Sequence, residues 1–359
     1  MKKFRIAVDA MGGDHAPAIP VKGALEAARE LGVKVLLVGR EEDLRAELAR
    51  HSTRDLDCEL VPAADVIGME EKPLSAIRQK RQSSIAVAVR LVRETGADGM
   101  ISAGNTGAVM ATSKIFLGTL TGVDRPALMA VIPNLRGPGT LLDVGANLDI
   151  KPVHYLHFAA MGYLYSHLIL GIPDPRVGLM STGEEETKGT ETLREAYSLL
   201  RNSGLNFIGN IEGKDVFSGV ADVIVCDGFT GNVSLKVMES TAEMISHFLK
   251  QEARESFLTR LGFFLARSTF RKFRQRIDYS EYGGAPLLGV KGAIVVCHGR
   301  SSPKAIQNGI RVAMEFVKNR VAERIQEEIH RLSPIPNRSV GDLTPPEIGQ
   351  TVPVEGGKG

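Results

Sequence analysis

The residues best suited to chemistry in this 359-residue chain lie in one stretch, residues 177–191, which reads VGLMSTGEEETKGTE. A short apolar run of Val177, Leu179 and Met180 stops at Ser181, Thr182 and Gly183. Three carboxylates and Lys188 follow, and Leu193, Ala196, Tyr197 and Leu200 then recur at helical spacing. The pattern predicts strand, polar loop and helix. Gly183 and Gly189 would let the backbone approach an anion closely, while Ser181, Thr182, Thr187 and Thr190 offer hydroxyls. A helix N-terminus adds free N–H groups, and Lys188 adds a charge. Such a set would cradle an oxyanion or phosphate with one mobile cation. The same residues would equally serve as a strand-to-helix loop with a solvated face at Glu184, Glu185 and Glu186.

Four more loops end predicted strands. Ser102, Gly104, Asn105, Thr106 and Gly107 follow GMIS and open a helix, offering hydroxyls and an amide at a helix N-terminus. Asp143 to Asn147, Asn210 to Asp215 and Asp227 to Asn232 are similar glycine-marked runs. Each alone is ordinary turn chemistry. Five of them, expected on one edge of a sheet, are more than turns require.

The missing motifs narrow the chemistry. The sequence holds neither GxGxxG nor a Walker A run, no HExxH among its 8 histidines, and no GxSxG elbow. His154 and His157 fall in an apolar helix, where burial explains them better than a metal does. Cys226 could be a nucleophile but reads better as a small residue in a buried strand. The inventory suits holding and polarising a bound anion that is itself the nucleophile. No metal and no cofactor is expected.

The elements that position these loops follow from periodicity. Apolar runs at residues 4–8, 33–38, 58–67, 99–102, 127–132, 141–144, 177–180, 206–211, 223–226 and 294–296 read as strands. Helical patterns follow many of them, including 73–93 and 105–117. Alternation of this kind predicts an α/β protein with a mainly parallel sheet and helices on both faces. With 38 Gly, no Trp and 43% hydrophobic residues, the composition is that of a soluble globular protein. A formal net charge of +2 gives no global field for nucleic acid. The 3 cysteines are too scattered for a disulfide framework or zinc site, and a cytoplasmic location is expected.

Two segments break the alternation. Residues 240–276 read as a long helical stretch, with Phe257, Leu258, Leu261, Phe263, Phe264 and Leu265 around Gly262. From Arg254 to Arg276 there are seven Lys or Arg and a single acid, Glu255. The bland reading is an amphipathic hairpin that packs a dimer or covers the sheet. The tail from Pro334 lacks apolar periodicity and reads as a peripheral extension, leaving one large domain over residues 1–333.

The motifs DAMGGD (9–14), KPLSAIR (72–78), SAGNTGA (102–108), RPAL (125–128), LLDVGAN (141–147), STGEEETKG (181–189), CDGFTGN (226–232) and YGGAPLLGVKG (282–292) occur in the order of one family. The chain closely resembles the bacterial phosphate acyltransferases. These convert acyl-[acyl carrier protein] and inorganic phosphate into acyl phosphate at the start of phospholipid synthesis. The resemblance implies a homodimeric three-layer α/β/α fold related to phosphotransacetylases and, more distantly, to the isocitrate dehydrogenase type, with a protruding helical hairpin at about 240–278. It also implies a cytoplasmic enzyme in peripheral contact with membrane and with a glycerol-3-phosphate acyltransferase.

On that resemblance Lys188 would stabilise phosphate and oxyanion, Asn232 would donate, and Asp227 would orient a neighbour or act as base. Ser102, Asn105, Thr106, Asn147, Ser181, Thr182, Gly183, Thr230 and Gly231 would line the cleft. The basic residues Arg260, Arg267, Arg271, Lys272, Arg274 and Arg276 would dock the acidic carrier, and Leu258, Leu261, Phe263 and Phe264 would dip into lipid. Rival readings are a phosphotransacetylase acting on acyl-CoA, a nicotinamide-dependent decarboxylating dehydrogenase, and a non-catalytic acyl-binding scaffold.

Overall fold

The computed structural model describes residues 3–252, 262–270 and 283–332. Its strands are β1 (Arg5–Asp9), β2 (Lys34–Gly39), β3 (Cys58–Pro62), β4 (Gly99–Ser102), β5 (Ala127–Asn134), β6 (Gly137–Leu142), β7 (Val177–Met180), β8 (Phe207–Ile211), β9 (Val223–Val225), β10 (Ala285–Leu288) and β11 (Ala293–Val296). They form one sheet in the order β3-β2-β1-β4-β11-β10-β5-β6-β9-β7-β8. β10 runs antiparallel to both its neighbours, and β5 pairs antiparallel with β6; every other pairing is parallel.

Those reversals correct one expectation. β1, β2, β3, β4 and β11 run one way, whereas β6, β7, β8 and β9 run the other way. The polar loops therefore do not share one edge. The 102–107 loop leaves the first set of strands, and the other four leave the second.

Helices cover both faces. On one side Ala76 and Ile77 of α3 (Pro73–Gln79), Ile85 and Val89 of α4 (Ser84–Arg93), and Ala108 and Val109 of α5 (Thr106–Phe116) pack in a core continuous across both halves. Leu235 and Met238 of α8 (Gly228–Glu252) pack against the same core. On the other side the core divides. α1 (Ala18–Leu31), α2 (Glu41–Leu48) and α9 (Pro303–Lys318) cover the first half, and α6 (Pro152–Leu168), α7 (Glu191–Arg201) and α10 (Val321–Leu332) the second. The result is the three-layer α/β/α arrangement.

Local chemistry explains where the elements differ from their sequence reading. The expected 73–93 helix is two helices, because the Ser83 hydroxyl accepts from the Ala86 N–H at 3.3 Å and starts α4 afresh. Such a cap contributes about 1 kcal/mol. β10 was not expected, since APLL is four residues with a proline in it. The long helix begins at Gly228 rather than near 240, so the 227–232 loop is a helix start. Most of the remaining hairpin and the tail from Pro334 lie outside the described residues. None of the described helices is long and apolar enough to cross a membrane.

Candidate active site

β6, β9, β7 and β8 are consecutive in the sheet, so the segments following them stand side by side at roughly 5 Å intervals. This brings together Asn147, the Asp227 to Asn232 run and the Ser181 to Lys188 loop. Ser102, Asn105 and Thr106 belong to the other set of strands and join none of these segments by a hydrogen bond.

In the 181–189 loop the strand ends cleanly at Met180, and Ser181 N–H donates to the Ile211 carbonyl at 2.9 Å. The Asn210 amide donates to the Glu185 carbonyl at 2.9 Å and ties the loop to β8. Glu184 pairs with Lys214 at 3.1 Å and Glu186 with Arg201 at 3.0 Å. Both pairs are exposed and contribute little stability, but they draw two of the three carboxylates aside. Lys188 is exposed, and among the described residues nothing bonds its ammonium. A side chain at Gly183 would collide with the Lys188 Cγ at 2.8 Å. The buried Ser181 hydroxyl and the Asn210 carbonyl oxygen also have no partner among the described residues. Thr190 caps α7 by accepting from Leu193 N–H at 3.3 Å. Its free N–H groups and positive dipole end lie beside the loop.

The 227–232 segment is built by its own aspartate. Asp227 accepts from Thr230 N–H at 2.9 Å and from the Thr230 hydroxyl at 2.7 Å, which starts α8. Asp227 is thus a helix cap, and Thr230 is spent on it. Asn232 donates through Nδ2 to the Val144 carbonyl at 3.1 Å. Gly231 sits where a Cβ would fall 1.9 Å from the Asp143 carbonyl oxygen, so no other residue fits.

Several residues expected to line the cleft are internal ties. The Asn147 amide donates to the Pro126 carbonyl at 2.7 Å and to Asp143 at 3.0 Å. Asn105 caps α5 through its oxygen and donates to the carbonyls of Gly68, Met69 and Glu71. The Ser102 hydroxyl donates to Asp9 at 2.5 Å and accepts from Gly104 N–H at 3.0 Å. Burial drives the Asp9 carboxyl upward, against the hydrogen bonds that favour its charged form.

Cys226 is buried, and its thiol is pushed far up by burial and by the charges of Asp227 and Asp143. It is no nucleophile at neutral pH. The described residues contain no cluster of three or more His, Cys, Asp or Glu able to hold a metal. Of the residues expected to dock the carrier, Arg267 stacks its guanidinium over Phe264 at 5.0 Å, and of those expected to meet lipid, Phe263 stacks on Phe270 at 4.6 Å. Arg260, Arg271, Lys272, Arg274, Arg276, Leu258 and Leu261 lie outside the described residues. Sequence reasoning placed the buried Asp143 in a candidate loop without a role of its own and passed over Tyr155, whose phenol is pushed up by burial and by the nearby Asp227 and Cys226. An aspartate ending an apolar run before Gly-Ala-Asn was the signal for the first.

The fold is that of the phosphotransacetylases. EutD phosphotransacetylase from Staphylococcus aureus and a phosphotransacetylase from Streptococcus pyogenes each align with a TM-score of 0.58, covering 88% of this chain and 94% of theirs, at 14% and 16% identity. Residues 4–324 match the family described as fatty acid synthesis protein, and the chain belongs to that family. A phosphate acyltransferase of Pelotomaculum thermopropionicum (strain DSM 13744 / JCM 10971 / SI) is 51% identical over 329 residues, 92% of this chain and 96% of its own length. Another, from Geobacter sp. (strain M21), is 47% identical over 346 residues, 96% and 98% of the two lengths. This kinship makes the chain an acyltransferase.

Proposed function

We propose that the chain transfers a long-chain acyl group from acyl-[acyl carrier protein] to inorganic phosphate, giving acyl phosphate for the acylation of glycerol 3-phosphate. One observation carries the reading: Lys188, the unpartnered Ser181 hydroxyl and the N-terminus of α7 converge on one loop, with the start of α8 one strand away. Phosphate held there attacks the thioester carbonyl through one oxygen. The C–O bond forms, the C–S bond breaks, and the thiolate leaves with a proton that monohydrogen phosphate can supply. Lys188 stabilises the phosphate and the oxyanion, and Asn232 donates nearby. The binding of both reactants in one site supplies much of the rate.

The proposal extends to assembly. Phe229, Val233, Val237, Met244 and Phe248 form an exposed apolar stripe along α8 at helical spacing. A second copy of the chain is proposed to cover it, giving a homodimer. The basic hairpin is proposed to meet the acidic carrier and a lipid surface in the cytoplasm, close to the glycerol-3-phosphate acyltransferase that takes the product. The catalytic domain is proposed to span residues 1–333.

The test is the loss of thioester from palmitoyl-[acyl carrier protein], with and without millimolar phosphate and with EDTA present. Phosphate-dependent, chelator-insensitive formation of acyl phosphate is expected. Turnover with palmitoyl-CoA and none with the carrier would overturn the carrier reading and place the chain with acyl-CoA phosphotransacetylases.

A further inference from the structure

Three sequence motifs that the proposed chemistry leaves without a shared purpose meet at one buried carboxylate. Asp143 is fully buried at the end of β6. Its Oδ1 accepts from Leu128 N–H at 3.0 Å, Gly145 N–H at 3.3 Å and Ala146 N–H at 3.0 Å. Its Oδ2 accepts from Asn147 N–H at 2.6 Å and from the Asn147 amide at 3.0 Å. These five donors come from backbone and one side-chain amide, with no lysine or arginine among them. These donors favour the charged form of the carboxyl and oppose the burial that raises it.

The consequences reach the candidate site. The turn folded around the carboxylate presents the Val144 carbonyl to the Asn232 amide at 3.1 Å. It also presents the Asn147 carbonyl to Gly228 N–H, at the first residue of α8, at 2.8 Å. Room for this exists only because position 228 is glycine: a Cβ there would sit 2.8 Å from the Asp143 Oδ2. The RPAL motif contributes the Leu128 N–H and, through Pro126, the carbonyl that takes the Asn147 amide at 2.7 Å. RPAL, LLDVGAN and CDGFTGN thus form one knot, which bonds both Asn232 and the α8 N-terminus.

We infer that Asp143 is a positioning residue for acyl transfer: its carboxylate, held by five N–H donors, sets Asn232 through the Val144 carbonyl. The inference rests on the reading of Asn232 as an active-site donor. Asp143→Asn keeps the shape but turns an NH2 group towards N–H donors, so the turn must open and Asn232 must shift. Displacement of a catalytic group by about 1 Å can cost roughly a hundredfold in rate.

The experiment is a double-mutant cycle on the full chain. kcat and the phosphate KM are measured for Asp143→Asn, Asn232→Ala and the double variant, with folding followed by circular dichroism. A loss in kcat is expected for each single variant, with Asp143→Asn costing less than about threefold further in the Asn232→Ala background. A purely structural role would lower the melting temperature and leave the losses multiplicative, which would overturn the coupling while Asn232 stays catalytic. Near-normal kcat for Asn232→Ala would instead overturn the active-site reading of Asn232, and the coupling with it. Should Asp143→Asn not fold, Asn147→Ala removes one donor, and the same cycle is run with it; multiplicative losses there overturn the inference equally.

Discussion

At the scale of single residues, the site separates groups that hold the protein together from groups left open to react. Asn105, Asn147, Ser102, Asp227 and Thr230 satisfy their hydrogen bonds internally. Lys188 and the Ser181 hydroxyl do not, and an unpartnered buried hydroxyl costs about 1–3 kcal/mol unless water or a ligand meets it. Lys188→Ala removes a charge that the fold does not use. Its melting temperature should match the parent's, while kcat falls roughly 10²- to 10³-fold, the loss typical of an oxyanion-stabilising group. Unchanged turnover would remove Lys188 from the mechanism. Cys226 gives the opposite prediction. Burial holds its thiol protonated, so Cys226→Ser should retain activity to within a few fold, measured as acyl phosphate formed, and a collapse of kcat in a folded variant would argue for a nucleophile.

The elements show how three strand reversals and one long helix make these residues neighbours. α8 starts in the candidate site and runs to the first half of the sheet, where Glu243 pairs with Arg300 at 3.9 Å. Its inner residues Leu235 and Met238 join the shared core, while Val237 is 59% exposed, a large apolar surface for a helix tied into both halves. A partner for that stripe is testable directly. Val237→Glu buries a charge if a second copy lies there, so sedimentation should show the dimer dissociating while circular dichroism stays native. A variant that remains dimeric would move the interface elsewhere.

On the scale of the whole molecule, the sequence was most informative where structure is local. The strand at Val177–Met180 was legible residue for residue, because a short apolar run meets a polar loop with glycines. The start of α5 was legible for the same reason, since the 105–117 pattern opens at Asn105, the residue that caps the helix in space. The sheet reversals were not, because β10 pairs with β5 across more than 150 positions, and nothing in APLL encodes its direction. The role of Asp143 was hidden likewise: its turn could be seen in DVGAN, but the Leu128 donor and the α8 glycines that enclose it lie elsewhere in the chain. Motif order carried the family, and long-range pairing decided which loops share a site.

The same long-range packing sets how the whole molecule responds to acid. His154 and His157, both buried on α6, are held below the ordinary histidine range, first by burial. For His154 the exposed Asp124 opposes the shift, while Arg125 and Lys151 reinforce it; for His157 the neighbouring His154 reinforces it and Asp124 opposes. In the unfolded chain both would titrate near 6.5. Between that value and their lower folded values the unfolded state binds more protons, so stability is complete above about pH 6.5 and is lost as the pH falls. Thermal unfolding followed from pH 7.5 to pH 5 should show the melting temperature declining through this window. In His154→Gln/His157→Gln the decline should be shallower, because the groups that favour the unfolded state in acid are gone. A slope unchanged by the double substitution would remove the two histidines as its source; Asp9 and Asp143 could not replace them, because they carry the opposite sign. Raised by burial, they take up protons more readily in the folded state and stabilise it as the pH falls, so they cannot produce the decline.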